Sequence, residues 1–136
     1  MGRLLQILNI AAFGGTLAGA AMAGAEETPA VPSGYHLYLQ QSFFETRTDQ
    51  SRVLRLRYVM PAIAEVPLGY GAVEADFPYL CASVAVPVLS ANDETVVQVI
   101  ISLADQETPF GEPAPEATQY FEAFRVENGA CIWEGF

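Results

Sequence analysis

From Arg52 to Met60 the side chains take turns. Leu54, Leu56 and Tyr58 alternate with Arg55 and Arg57, the period of two that a strand with one buried face requires. Tyr35–Phe44 predicts a strand before it, with Leu37, Leu39, Gln41 and Phe43 on one side and Tyr38, Gln40, Ser42 and Phe44 on the other. The polar segment Glu45–Ser51 between them reads as a turn, so the two strands form a hairpin. Pro61 ends the second strand, because proline cannot donate to a ladder. Residues 61–74 carry Pro61, Pro67, Gly69 and Gly71 and predict an irregular crossing. Leu80, Cys81, Val84 and Val88 then fall near helical spacing and predict a short helix over Ala75–Val86. Asp76 suits its start, Pro78 its first turn, and Pro87 its end. Val84, Val86 and Val88 also alternate, so a strand is the rival reading there. Thr95–Leu103 is β-branched and almost wholly apolar, as in a central strand. Beyond the loop Ala104–Ala117, Thr118–Glu127 and Ala130–Phe136 flank Asn128-Gly129, the preferred pair for a type I′ turn. A two-residue turn sets Val126 opposite Cys131 and Phe124 opposite Trp133.

The order β-β-α-β-β-β predicts an α+β fold: a small two-layer domain, mainly an antiparallel five-stranded sheet with one short helix packed on it and one disulfide. That domain spans residues 35–136. Residues 26–34 form a flexible lead-in. Residues 1–25 read as a signal peptide. Arg3 precedes an uncharged run from Leu4 to Ala23, and small residues before Glu26-Glu27 fit two cleavage frames, Ala21-Met22-Ala23 and the favoured Ala23-Gly24-Ala25. Cleavage after Ala25 leaves no membrane segment; an uncleaved anchor is the rival reading. Export permits a disulfide, and Cys81 and Cys131 are the only two cysteines of the chain. Bridged, they place the cystine beside Trp133 and Phe124, under the helix. The expected location is periplasmic or secreted.

Composition narrows the chemistry. The 136 residues carry 16 acids, six basic residues that are all Arg, and one His, for a formal charge of −10. A lysine Schiff base, a P-loop lysine, a zinc site of several His or Cys and a broad basic nucleic-acid surface are therefore excluded. No cofactor motif is present. His36 stands alone, without a nucleophile elbow, and reads as a strand-end residue. The acids Asp105, Glu107, Glu112 and Glu116 lack the order of an EF-hand and read as a solvated loop rather than a metal site. Glu122 and Glu134 fall on neighbouring strands, an arrangement that invites comparison with a glycosidase pair; acids are abundant enough to explain it. No catalytic residue is assigned.

The Arg distribution says more. Arg47, Arg52, Arg55 and Arg57 fall within eleven residues. Arg55 and Arg57 project from one sheet face about 7 Å apart, close enough to share a carboxylate, a phosphate or an acidic peptide. The rival reading pairs these arginines with the chain's own acids, such as Glu45 with Arg52.

The stretch from Ala117 to Phe136, with Tyr79-Leu80-Cys81 and Leu56-Arg57-Tyr58-Val59-Met60-Pro61-Ala62-Ile63, resembles a family of short, exported, uncharacterised proteins from Gram-negative bacteria. The resemblance implies no catalytic residues. Some proteins of that kind carry the label acetolactate synthase. That chemistry needs a far longer chain and a Gly-Asp-Gly type cofactor motif, and this chain has neither.

These observations lead to an expected function as a small non-enzymatic binding or interaction domain of the cell envelope, meeting an anionic small ligand or an envelope protein. A small periplasmic hydrolase or lyase using His36, and an oligomeric subunit joined through an edge strand, are the alternatives.

Overall fold

The computed structural model describes residues 28–135. The expected signal peptide and its cleavage site lie outside the described residues. Five strands form one sheet in the order of the chain. They are β1 (Tyr38–Thr46), β2 (Arg52–Val59), β3 (Gln98–Ala104), β4 (Gln119–Glu127) and β5 (Ala130–Trp133). Three neighbouring pairs are antiparallel. β2 and β3 are parallel, because the helical segment between them crosses one face and returns the chain to the same end. The fold is thus the expected α+β domain, with a mostly antiparallel sheet and one main helix.

The crossing holds more helix than the sequence predicts. α1 (Ala62–Glu65) occupies part of the expected irregular stretch. α2 (Tyr70–Val73), α3 (Asp76–Leu80), a π-helical turn at Cys81–Ala85 and α4 (Val86–Ala91) follow. The run Tyr70–Ala91 is one helix of 22 residues. Pro87 does not end it. Val86 N–H reaches back five residues to the Cys81 carbonyl, so the backbone restarts its α pattern there. Pro87 then falls in the first turn of α4, where its missing N–H costs nothing. The wide turn also serves packing. Val73, Phe77, Cys81, Ala85 and Leu89 recur every fourth residue and are all buried. In a pure α-helix each such step drifts by about 40°; a turn closed over five residues cancels part of that drift.

Asp76, expected at the helix start as a cap, has another task. It is fully buried and accepts from the Ser33 N–H at 2.8 Å and the Ser33 hydroxyl at 2.6 Å. Of the segment 26–34, the described residues thus carry two tethers: this pair, and Val31 buried in the core.

β1 departs from its expected alternation. A bulge between Leu39 and Gln41 shifts the register. One extra residue switches the parity of everything after it. Leu37 and Phe44 therefore both reach the helix side of the sheet, whereas strict alternation places them on opposite sides.

The main core lies between helix and sheet, built on Leu37, Leu54, Leu56, Phe77, Ile101, Leu103 and Phe124. The last hairpin forms as expected. Asn128 and Gly129 have φ of 51° and 78°, as a type I′ turn requires. Val126 faces Cys131 and Phe124 faces Trp133. Cys131 thereby comes under the helix, and the Cys81–Cys131 disulfide joins them with the Cα atoms 6.3 Å apart.

Candidate functional site

The sheet's second face carries a smaller buried cluster of Val53, Ile100 and Ala123, and the loop after β3 folds over it. Arg55 and Arg57 point into this layer. Arg57 is only 8% exposed. Its guanidinium donates to Gln41 Oε1 at 2.5 Å, to the Thr108 carbonyl at 3.0 Å and to the Thr108 hydroxyl at 2.9 Å. All three acceptors are neutral, and among the described residues Arg57 has no ion pair. Burial, with Arg55 nearby, holds its pKa below the ordinary arginine value.

The bulge in β1 makes this possible. Gln41 stands opposite Arg57 in the ladder, while its neighbour Gln40 reaches the same loop and donates to the Thr108 carbonyl at 2.9 Å. Two successive glutamines thus serve one face.

Arg55 pairs with Glu45 at 2.8 Å through Nε. Its guanidinium carbon lies 4.9 Å from the Phe110 ring centroid, and that of Arg57 lies 5.4 Å away. Phe43 meets Phe110 edge-on at 5.0 Å. Arg52 pairs with Glu94 at 2.6 Å, not with Glu45 as in the rival reading's example. Glu45 sits on the face of Arg55, whereas Arg52 reaches the loop before β3.

A pocket of about 210 Å³ opens here, lined by Arg55, Arg57, Ser102, Phe110, Gln119 and Phe121, with Glu112 at its wall. A second groove of about 440 Å³ shares Arg55, Ile100 and Phe121 with it and adds Arg47 and Gln98. Arg47 donates to Gln98 Oε1 at 2.8 Å. Three of the four clustered arginines therefore line two adjoining hollows in an acidic protein. Chemically, they offer guanidinium N–H groups against aromatic walls, a setting for a carboxylate or phosphate.

The other sequence candidates separate. His36 is exposed, just before β1. Glu122 and Glu134 do not meet as a pair. Glu122 faces the helix and accepts from the Tyr70 hydroxyl and the Trp133 indole. Glu134 accepts from Gln98 at 3.1 Å and lies 3.6 Å from Arg125. Of the loop acids, Asp105 accepts from the Thr118 N–H and Glu107 from Tyr38. Among the described residues, no three His, Cys, Asp or Glu side chains converge as metal ligands.

One family profile matches residues 12–136. The chain belongs to the family of unknown function DUF6497. The match includes all three segments on which the sequence resemblance rested. No curated protein and no solved structure matches the chain. The DUF6497 site must therefore be read from its own residues.

Sequence reasoning singles out Arg55 and Arg57 but passes over Thr108, Phe110 and Gln41, which surround them. Phe110 left a signal: one large apolar residue in an otherwise polar, proline-rich loop has to cover something. Thr108 left none.

Proposed function

We propose that this protein is an exported, disulfide-stapled binding domain of the cell envelope, and that its Arg55–Arg57 pocket holds the anionic group of a small ligand. One observation carries the reading. Arg57 is a buried guanidinium, yet its protein acceptors are all neutral. A buried cation without a counter-charge is costly, and an anion in the adjoining hollow offsets that cost. The pocket's volume of about 210 Å³ suits a carboxylate- or phosphate-bearing group rather than a folded partner. Export is supported by Arg3, the uncharged run after it, the small residues ending at Ala25, and the cystine.

The ligand reading is tested by thermal unfolding in phosphate, citrate or an oligo-glutamate peptide, each against chloride at equal ionic strength. Phosphate or citrate raises the melting temperature through the pocket, and Arg55→Gln abolishes the rise. Identical melting in every anion rejects the pocket; a response to the peptide alone transfers it to an acidic protein partner. Intact mass of protein recovered from the envelope tests export, the expected first residue being Glu26.

A further inference from the structure

The helix side of the sheet holds a second hollow, of about 500 Å³, walled by Tyr70, Phe77, Phe124 and Trp133 with Glu122 and Glu74. Its chemistry is opposite to that of the arginine pocket. Glu122 is only 8% exposed. Oε2 accepts from the Tyr70 hydroxyl and Oε1 from the Trp133 indole N–H. Both donors are neutral, so the carboxylate is oriented but not compensated. A carboxylate accepts about four hydrogen bonds, which leaves half its capacity for a guest.

No arginine among the described residues supplies the missing charge. Arg47 is engaged with Gln98, Arg52 with Glu94, Arg55 with Glu45, Arg57 with Thr108 and Arg125 with Glu127. The Tyr70 phenol is pushed up to about 12, by burial first and then by its bond to Glu122 and the charges of Glu122 and Glu74. At neutral pH it therefore stays a donor. Aromatic rings present negative faces to a cation, and Trp133 is 63% exposed at the mouth, an unusual cost for the chain's single Trp.

We infer that this pocket binds a free small organic ammonium compound, seated against Trp133 and Tyr70 with its charge on Glu122. Apolar walls take the alkyl groups, the ring faces take the positive charge they carry, and the buried carboxylate supplies the counter-ion. The volume holds a whole small molecule, and the protein's net charge of −10 draws cations toward it. The assignment is independent of the arginine pocket, which lies across the sheet.

Trp133 is its own reporter. Intrinsic fluorescence of the intact protein is titrated with choline, tetramethylammonium and 3,3-dimethylbutan-1-ol, the last a neutral copy of choline. Saturable responses to both cations are expected, with the alcohol weaker by about tenfold. Glu122→Gln is expected to erase that difference. Equal response to choline and the alcohol, or no saturable response to either cation, overturns the inference. So does sedimentation with phosphatidylcholine vesicles in the absence of any response to free choline. The isostere comparison needs no substitution, so it decides even where Glu122→Gln fails to fold.

Discussion

Arg57 and Thr108 are 51 residues apart, and one guanidinium nitrogen of Arg57 donates to both the carbonyl and the hydroxyl of Thr108. A central strand is thereby clamped to the loop that covers it. Phe110, two residues further on, lies over the same guanidinium. The clamp, not the loop's own composition, explains how a segment with three prolines and several acids stays on the sheet.

Arg57→Ala should therefore lower stability by about 2–4 kcal/mol, since it strands Gln41 and both Thr108 acceptors in a buried layer. Arg57→Lys should recover little of this, because one ammonium nitrogen cannot reach Gln41 and Thr108 at once as the two ends of the guanidinium do. Urea unfolding of the three proteins measures both effects. A loss under 1 kcal/mol for Arg57→Ala would show that the loop holds itself.

Cys81 and Cys131 are separated by 50 positions. Replacing both by Ser should cost about 4 kcal/mol if the bridge acts by restricting the unfolded chain. Denaturation of the native protein with reductant should reproduce that loss. Agreement between the two measurements distinguishes the cross-link from any effect of the Ser side chains.

The legible parts of this fold are those set by local pattern. β2 shows itself through Leu54, Leu56 and Tyr58, because a period of two has one cheap realisation. The β4–β5 register follows from Asn128-Gly129, because few residue pairs accept two positive φ angles. What stayed hidden depends on partners distant in sequence. A bulge at Gln40 leaves no mark in composition, yet it reverses the faces of half a strand. Pro87 reads as a helix end because proline rules are local, whereas the π turn that accommodates it serves the packing of Cys81 and Ala85 on the sheet. The arginine cluster was visible, but Glu45 chose Arg55 over Arg52 through the ladder register and the face each side chain takes. Glu122 shares the parity of Tyr120 and Phe124, so its inward direction was readable; its partner Tyr70 was not, lying in a stretch read as irregular.

Two glycines make opposite predictions. Gly71 lies in the helix, and a Cβ built on it meets nothing within 4 Å. Gly71→Ala should stabilise by about 0.5–1 kcal/mol through the unfolded chain's lost freedom. Gly135 has φ of 54°, and its Cβ would stand 3.0 Å from the Trp133 ring. Gly135→Ala should destabilise by about 1–2 kcal/mol and shift the emission of Trp133. Thermal unfolding and fluorescence of the two variants check this, and the same sign for both would reject the argument.

Alkaline pH should unfold the protein through two tyrosines. Burial pushes the Tyr58 phenol up to about 12, and Tyr70 reaches about 12 by burial and its bond to Glu122. In the unfolded chain both ionise near pH 10. Between about pH 10 and 12 the folded state thus keeps protons that the unfolded state has released, and stability falls as pH rises. Below pH 10 the contribution is fully present; it is lost as pH climbs through the folded value. Urea unfolding at successive pH values, with tyrosinate absorbance near 295 nm as a second signal, measures the slope. Tyr58→Phe and Tyr70→Phe should each flatten it, and a slope unchanged in both would mean that neither phenol is linked to folding.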